Sequence, residues 1–404
     1  MGQRALSPGD SGVLGHAESV TRHRDLGTNM TRAILALLLI LGHVPAAEAA
    51  RRRAVRSPGP AVVPAAIVTA ATEAAQSMMA TGVPAVQIAV SKRGTIIYAG
   101  AFGLVDMENA TGATPRSVLQ IASITKEFTA AAILRLAERG MLSLDDPIDK
   151  YVPEFNSRGV TITVRHLLTH TSGVARDWYP KTPNGLAPLA PVTREQAIAS
   201  LNNKPFDFAP GKKWSYSDAG YQLLGYAIES ITGMSYAEYI HTEFVLPLGL
   251  SDTGVCGTYD LAPLPGYGLL GGTWKPMSPP HWSVFLSNGA LCSTASDLVR
   301  WSHLLANGSV LLPASYEAMT TPARLDDGTV VSSGYALGVA VTTMLDRQAV
   351  WHSGAIDGFQ SYLVYFPAEE IAVAVIINAF PVGPGANPQT IAMAVANAAL
   401  ASLP

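Results

Sequence analysis

Strand-like runs stand at both ends of this chain and helix-like periodicity lies between them, so the two ends have to meet in one sheet. Residues 85–91 and 95–102 alternate or run apolar around Arg93-Gly94, which predicts a hairpin with a tight turn. Residues 349–352, 360–366 and 371–379 are strand-like again, and a helix is expected over 389–401. Helices are expected at 65–80, and at 123–139, where Phe128, Ala131, Ala132, Leu134 and Leu136 recur at helical spacing and Gly140 marks the stop. The middle alternates Pro/Gly-rich loops with helical stretches at 164–170, 194–202, 221–232 and 296–306. The expected architecture is α+β: an antiparallel sheet flanked by helices, with 65–140 and 326–404 forming an α/β lobe and 141–325 an inserted, mainly helical lobe.

With 48% hydrophobic and 14% charged residues among 404, the chain has enough apolar surface to bury a large core. A net charge of -3 provides no basic field to hold a polyanion, which argues against a nucleic-acid partner. Met30-Thr31-Arg32, an apolar run over 33–41 too short to span a bilayer, and Ala47-Glu48-Ala49 have the order of a secretory leader cleaved after Ala49. Residues 1–29 fit neither leader nor domain, so translation is expected to start at Met30, with 50–64 as a linker and an uncleaved anchor as the alternative. Export to the periplasm or medium is the expectation. No cysteine lies near the cleavage site to carry a lipid. Cys256 and Cys292 are the only cysteines and could pair in an oxidising compartment. The chain has no HExxH or grouped His and carboxylate set, so neither metal nor cofactor is expected.

Three short motifs carry chemistry. Ser123-Ile124-Thr125-Lys126 places a hydroxyl and an amine on one face at a helix start, where the amine can take the serine proton and the helix N-terminus favours developing negative charge. Read alone, it is a helix cap beside a solvated lysine. Tyr216-Ser217-Asp218 follows the turn-rich Pro210-Gly211 and precedes a helix, leaving a phenol on a loop where it could exchange protons with Lys126. Alone, Tyr216 is a packing residue and Asp218 an N-cap. His352-Ser353-Gly354-Ala355 ends a strand with small residues that let a substrate approach, and a backbone N–H there could join that of Ser123 in an oxyanion hole. Its plain reading is a strand end with a partly buried histidine.

The order of the three motifs resembles the serine β-lactamase and penicillin-binding superfamily, in the branch with class C β-lactamases, D-alanyl-D-alanine carboxypeptidases and family VIII esterases. Those carry Ser-x-x-Lys, Tyr-x-Asn and Lys/His-x-Gly in this order. The surrounding phrases Ile121-Ala122-Ser123-Ile124-Thr125-Lys126, Arg165-His166-Leu167-Leu168-Thr169-His170-Thr171-Ser172-Gly173 and Trp214-Ser215-Tyr216-Ser217-Asp218-Ala219-Gly220-Tyr221 are typical of it. The resemblance covers about residue 65 to the end. It implies acylation of Ser123 followed by hydrolysis without metal or cofactor, with Lys126 and Tyr216 sharing base and acid roles. It implies an oxyanion held by the N–H groups of Ser123 and Ala355, and His352, or a phenol–histidine contact it allows, in place of the class C lysine. His166 and His170, inside the second phrase, are then residues of the fold rather than metal ligands. No Gly-x-Ser-x-Gly elbow is present, so any esterase activity would run through Ser123.

Two positions depart from the pattern. Asp218 replaces Asn, and an ionised carboxylate accepts hydrogen bonds but cannot donate one to a substrate carbonyl. It should also favour charged Lys126 and shift the burden of the base toward Tyr216. His352 is mostly neutral at pH 7, which weakens a grip on a β-lactam carboxylate. The reading is therefore a hydrolase of D-amino-acid peptides, amides or small esters acting on a small-molecule or peptide substrate. The alternatives are a class C-like β-lactamase or a non-turnover binder of penicillin or cell-wall peptide, and the oligomeric state is left open.

Overall fold

The computed structural model describes residues 63–176, 179, 189–262, 264–278, 280–383 and 387–403. The expected leader and most of the linker lie outside the described residues. In chain order the strands are β1 (Ala85–Lys92), β2 (Thr95–Asp106), β3 (Thr111–Gly112), β4 (Leu119–Gln120), β5 (Gly254–Val255), β6 (Gly266–Leu270), β7 (Thr273–Met277), β8 (Leu291–Ser293), β9 (Ala340–Met344), β10 (Arg347–Ile356), β11 (Phe359–Phe366) and β12 (Ile371–Ile377). The helices are α1 (Ala65–Ala80), α2 (Thr125–Glu138), α3 (Val164–Leu168), α4 (Arg194–Asn202), α5 (Asp218–Thr232), α6 (Tyr236–Ile240), α7 (Leu246–Leu248), α8 (Leu286–Gly289), α9 (Ala295–Ala306), α10 (Pro313–Met319) and α11 (Pro388–Ser402).

Both ends of the chain do meet in one antiparallel sheet, ordered β3-β2-β1-β12-β11-β10-β9. β1 pairs with β12 from Val86↔Ile377 to Lys92↔Ile371. Every residue of β12 is buried because helices cover both faces, which is why its sequence reads as an unbroken apolar run. Large side chains (Ile88, Val90, Val373, Val375) point to the face covered by α1 and α11, where Ile67, Ala71, Ala75 and Met78 form the packing stripe of α1. The opposite face is lined by Ala85, Ala89, Ala372 and Ala374, small enough for α9 to lie close. Phe128 of α2 stacks on Trp301 of α9 with ring centroids 3.8 Å apart, joining the nucleophile-bearing helix to that layer. The tight turn between β1 and β2 is made by Arg93 and Gly94, both with positive φ, the geometry that suits a two-residue hairpin.

Two features differ from the linear expectation. Among the described residues, the stretch 141–325 contains four short strands besides its helices, and β4-β8-β5 form a separate three-stranded sheet. α9, which the linear reading groups with the helical stretch, packs on the main sheet. β5 and β8, of two and three residues, are too short for a sequence pattern to register. Cys256 and Cys292 are disulfide-bonded across a sequence separation of 36, which ties the end of β5 to β8 and restricts the unfolded chain by about 3–4 kcal/mol.

Candidate active site

Ala122 has a left-handed φ of 47° and begins a 3-10 turn, Ala122–Ile124, from which α2 continues at Thr125. The expected helix start at Ser123 is thus a tighter turn. A non-glycine residue in this region is strained, and here the strain lies immediately before the candidate nucleophile. The edge of the sheet comes up against this turn: Ser361 Oγ donates to the Ile121 carbonyl at 2.7 Å, and a Cβ on Gly354 would collide with that same carbonyl. Gly354 is required there because backbone packs on backbone.

Lys126 is completely buried, and its three N–H groups point to three acceptors: Ser123 Oγ at 3.1 Å, Asp218 Oδ1 at 2.7 Å and the Asn288 carbonyl at 2.7 Å. Burial pulls its ammonium below the usual lysine range, Asp218 pulls it back, and Arg176 adds to the lowering. Tyr216 shares a hydrogen bond with Ser123, yet burial and the Asp218 carboxylate hold its phenol well above the ordinary value. The expected shift of the base role toward Tyr216 is therefore opposed: the carboxylate that stabilises charge on Lys126 also destabilises a phenolate beside it. Lys126 Nζ lies 4.9 Å and the Arg176 guanidinium 5.6 Å from the Tyr216 ring centre, so the ring has a cation on each of two approaches.

His170 fixes the loop that carries Tyr216. Its carbonyl accepts the Ser215 N–H at 2.9 Å and its Nδ1 accepts the Ser217 N–H at 3.1 Å, so both neighbours of Tyr216 are anchored on one residue. The two imidazole–phenol ring centroids are 4.2 Å apart. An Nδ1 that accepts leaves the proton on Nε2, and burial keeps the ring neutral by lowering its pKa well below the usual range.

His352 does not form the wall of the cleft. It is 4% exposed, behind that wall, with Nδ1 donating to the Ser353 carbonyl at 2.6 Å and Nε2 accepting the Tyr335 hydroxyl at 3.0 Å. Burial pushes its pKa down to about 3, with Lys126 nearby acting in the same direction, so it is a neutral support. Ser353 is exposed and Gly354 buried. Ala355 faces a cavity of about 270 Å³ with Ser123, Asp218, Arg176, Asn288 and Phe285. Ser123, Lys126, Tyr216, Asp218 and Ala355 are thus assembled at one place, while His352 and Gly354 support it from behind. Arg176, Asn288, Tyr335 and the positioning role of His170 had no signal in the linear motifs, because each acts through a contact made at long sequence distance.

Glu127, adjacent to Lys126, points away from the cleft into the core, where the Trp301 indole donates to its Oε2 at 3.2 Å. Burial pushes its carboxyl up to about 8. A carboxyl protonated when folded contributes stability that is present below its unfolded pKa of 4.5 and is lost as pH rises through 8. His352 acts in the opposite sense: its contribution is present above 6.5 and lost as pH falls through 3. Each slope is about 1.4 kcal/mol per pH unit. Glu127→Gln, which retains the acceptor for Trp301 without the ionisation, is expected to gain about 3 kcal/mol relative to wild type between pH 5 and pH 8. Urea unfolding at the two pH values measures it. An equal change in both proteins would show that Glu127 is already ionised in the folded state.

The beta-lactamase family profile matches residues 71–398. A relative named Protein flp from Staphylococcus aureus (strain N315) is 29% identical over 318 residues, covering 73% of this chain. The chain spans 60% of that protein's length. Among solved structures, the octameric penicillin-binding protein homologue from Pyrococcus abyssi is 30% identical with a TM-score of 0.73, covering 83% of this chain and 77% of that one. A D-stereospecific amidohydrolase from Streptomyces sp. is 26% identical with a TM-score of 0.68, covering 80% of this chain and 96% of that one.

Proposed function

The chain belongs to the beta-lactamase family and is a serine hydrolase, and on that premise we propose that it cleaves D-amino-acid peptides, amides or small esters through an acyl-enzyme on Ser123. The observation that carries the proposal is the Lys126 ammonium position, in contact at once with Ser123 Oγ and the Asp218 carboxylate. In this reading Ser123 Oγ attacks the substrate carbonyl while its proton passes by way of Tyr216 to neutral Lys126. The oxyanion is held by the N–H groups of Ser123 and Ala355. The leaving group takes the proton back, and a water molecule then cleaves the acyl–serine ester and restores the serine proton. Tyr216 acts as a neutral relay rather than a standing phenolate, as its raised pKa requires.

Penicillin turnover is a side activity at best in this proposal. Asp218 cannot donate to the acylamide carbonyl that Asn would hold, and His352 is neutral and buried against Tyr335. A substrate carboxylate would meet Arg176 instead. Export is part of the same proposal, supported by the leader-like segment 30–49 and by a disulfide that suits an oxidising compartment.

The Asp218–Lys126 ion pair also supports a second reading, a penicillin-recognising binder whose lysine stays charged and whose serine acylates without turning over. A panel of a D-alanyl-D-alanine peptide, D-amino-acid amides, p-nitrophenyl acetate and nitrocefin separates the two. The hydrolase should turn over a peptide, amide or ester with kcat/KM at least about 100-fold above nitrocefin, the loss expected for one missing charge-assisted contact and one missing donor. Saturable binding with no product would favour the binder, and nitrocefin as the best substrate would establish a β-lactamase.

A further inference from the structure

A second cavity of about 190 Å³ opens beside the catalytic cleft. Its walls include Pro280, Trp282, Phe285, Ile356, Gln120 and Cys256, and it shares Pro280, Phe285, Gly289 and Ile356 with the cleft that contains Ser123. Most of this lining is apolar, and one wall is held covalently because Cys256 is bonded to Cys292 of β8. The two cavities meet at Gly289. A Cβ there would lie 3.4 Å from Phe285 Cβ and 3.9 Å from the Ala122 carbonyl carbon, so a small side chain fits and a longer one would have to extend into the space the two cavities share.

We propose that this side cavity is the subsite for the acyl group of the substrate and that it selects acyl donors with a bulky apolar substituent, such as an aromatic ring or a chain of four to six carbons. The inference rests on the reading of Ser123 as nucleophile. The leaving group has to meet the groups that return its proton, and Lys126 and Tyr216 lie against Asp218 and Arg176, which line the cleft and not the side cavity. The part of the substrate retained on the serine is therefore the part that occupies it. Ile356 follows Ala355 directly on β10, which places the cavity one residue along the strand from the proposed oxyanion donor. An apolar cavity of about 150 Å³ is enough to hold a benzene ring, and this one is larger.

The test is a set of p-nitrophenyl esters with one leaving group and a varied acyl group: acetate, butyrate, hexanoate and phenylacetate. Burying one methylene is worth about fourfold in kcat/KM. The wild type is expected to prefer hexanoate or phenylacetate over acetate by at least about 30-fold. Gly289→Leu, whose side chain fills the opening, should reduce that ratio at least tenfold. Trp282→Ala, which enlarges the cavity, should move the optimum to a longer chain and serves if Gly289→Leu does not fold. A flat acyl preference in an actively turning-over wild type overturns the subsite, as does an unchanged ratio in folded Gly289→Leu together with an unchanged optimum in Trp282→Ala. Failure of the wild type to hydrolyse any ester or to take up a fluorophosphonate label is a different result and overturns the Ser123 reading beneath it.

Discussion

Ser123→Ala is expected to lower kcat/KM by roughly 10⁴–10⁶ on whichever substrate the wild type prefers and to abolish covalent labelling by fluorophosphonate or fluorescent penicillin. The size follows from what remains. Without Oγ the site keeps its lysine, its tyrosine and its donors near Ala355, but no atom can form the acyl bond, and only binding and general electrostatic help are left. The fold should survive, since Lys126 keeps two of its three acceptors, Asp218 and the Asn288 carbonyl. Stability within about 1 kcal/mol of wild type is the accompanying expectation, for the loss of one hydrogen bond to a small side chain. Intact-mass measurement of the labelled protein gives a direct check. A mutant that keeps wild-type turnover would move the chemistry to another residue.

The second large effect is expected at Lys126. Lys126→Ala should reduce kcat by about 10³, within the range for removal of a positioned proton acceptor, and it leaves Asp218 facing the void without its cation. Asp218→Asn makes the assignment specific. In wild type, the Asp218 carboxylate raises the Lys126 pKa while burial and Arg176 lower it. With the carboxylate removed, only the lowering influences persist, and the base loses its proton at a lower pH. The ascending limb of the kcat/KM profile should therefore move toward acid by at least one pH unit in Asp218→Asn, a change equivalent to about 1.4 kcal/mol. A limb that stays in place would mean that Lys126 is not the group whose deprotonation starts the reaction. The same variant supplies a donor to the substrate carbonyl, so its nitrocefin reactivity should rise, by at least about tenfold, even if its peptide turnover falls.

How much of this was readable in the chain depends on the distance over which each feature is encoded. The long elements were legible because burial repeats at the period of the backbone: α1 and α4 were expected at 65–80 and 194–202 and are found at those bounds. β1, β11 and β12 were expected within a few residues of their ends, since central strands buried on both faces leave long apolar runs, and the more exposed β2 was expected from the Arg93-Gly94 turn before it. β9 was not expected. Its pattern, with two buried residues followed by partly exposed ones, is too short and irregular to register. The meeting of Ser123, Lys126, Tyr216 and Asp218 was implied by the family resemblance that the motif order carries, whereas spacing alone puts Ser123 and Lys126 on one helical turn and Tyr216 and Asp218 at one loop–helix junction without joining the two pairs.

Sequence alone, then, determined the central strands, the main helices and the residue types brought to one site, all of which follow from local periodicity and short motifs. Tertiary structure decided the rest. It paired Cys256 with Cys292, placed His352 behind the cleft against Tyr335, supplied the Asn288 carbonyl as the third acceptor for Lys126, and made His170 the anchor for both neighbours of Tyr216. It also opened the apolar cavity at Gly289. Each of these is a contact between segments far apart in the chain, and its geometry is set by how whole layers pack, which no spacing within a single motif can encode.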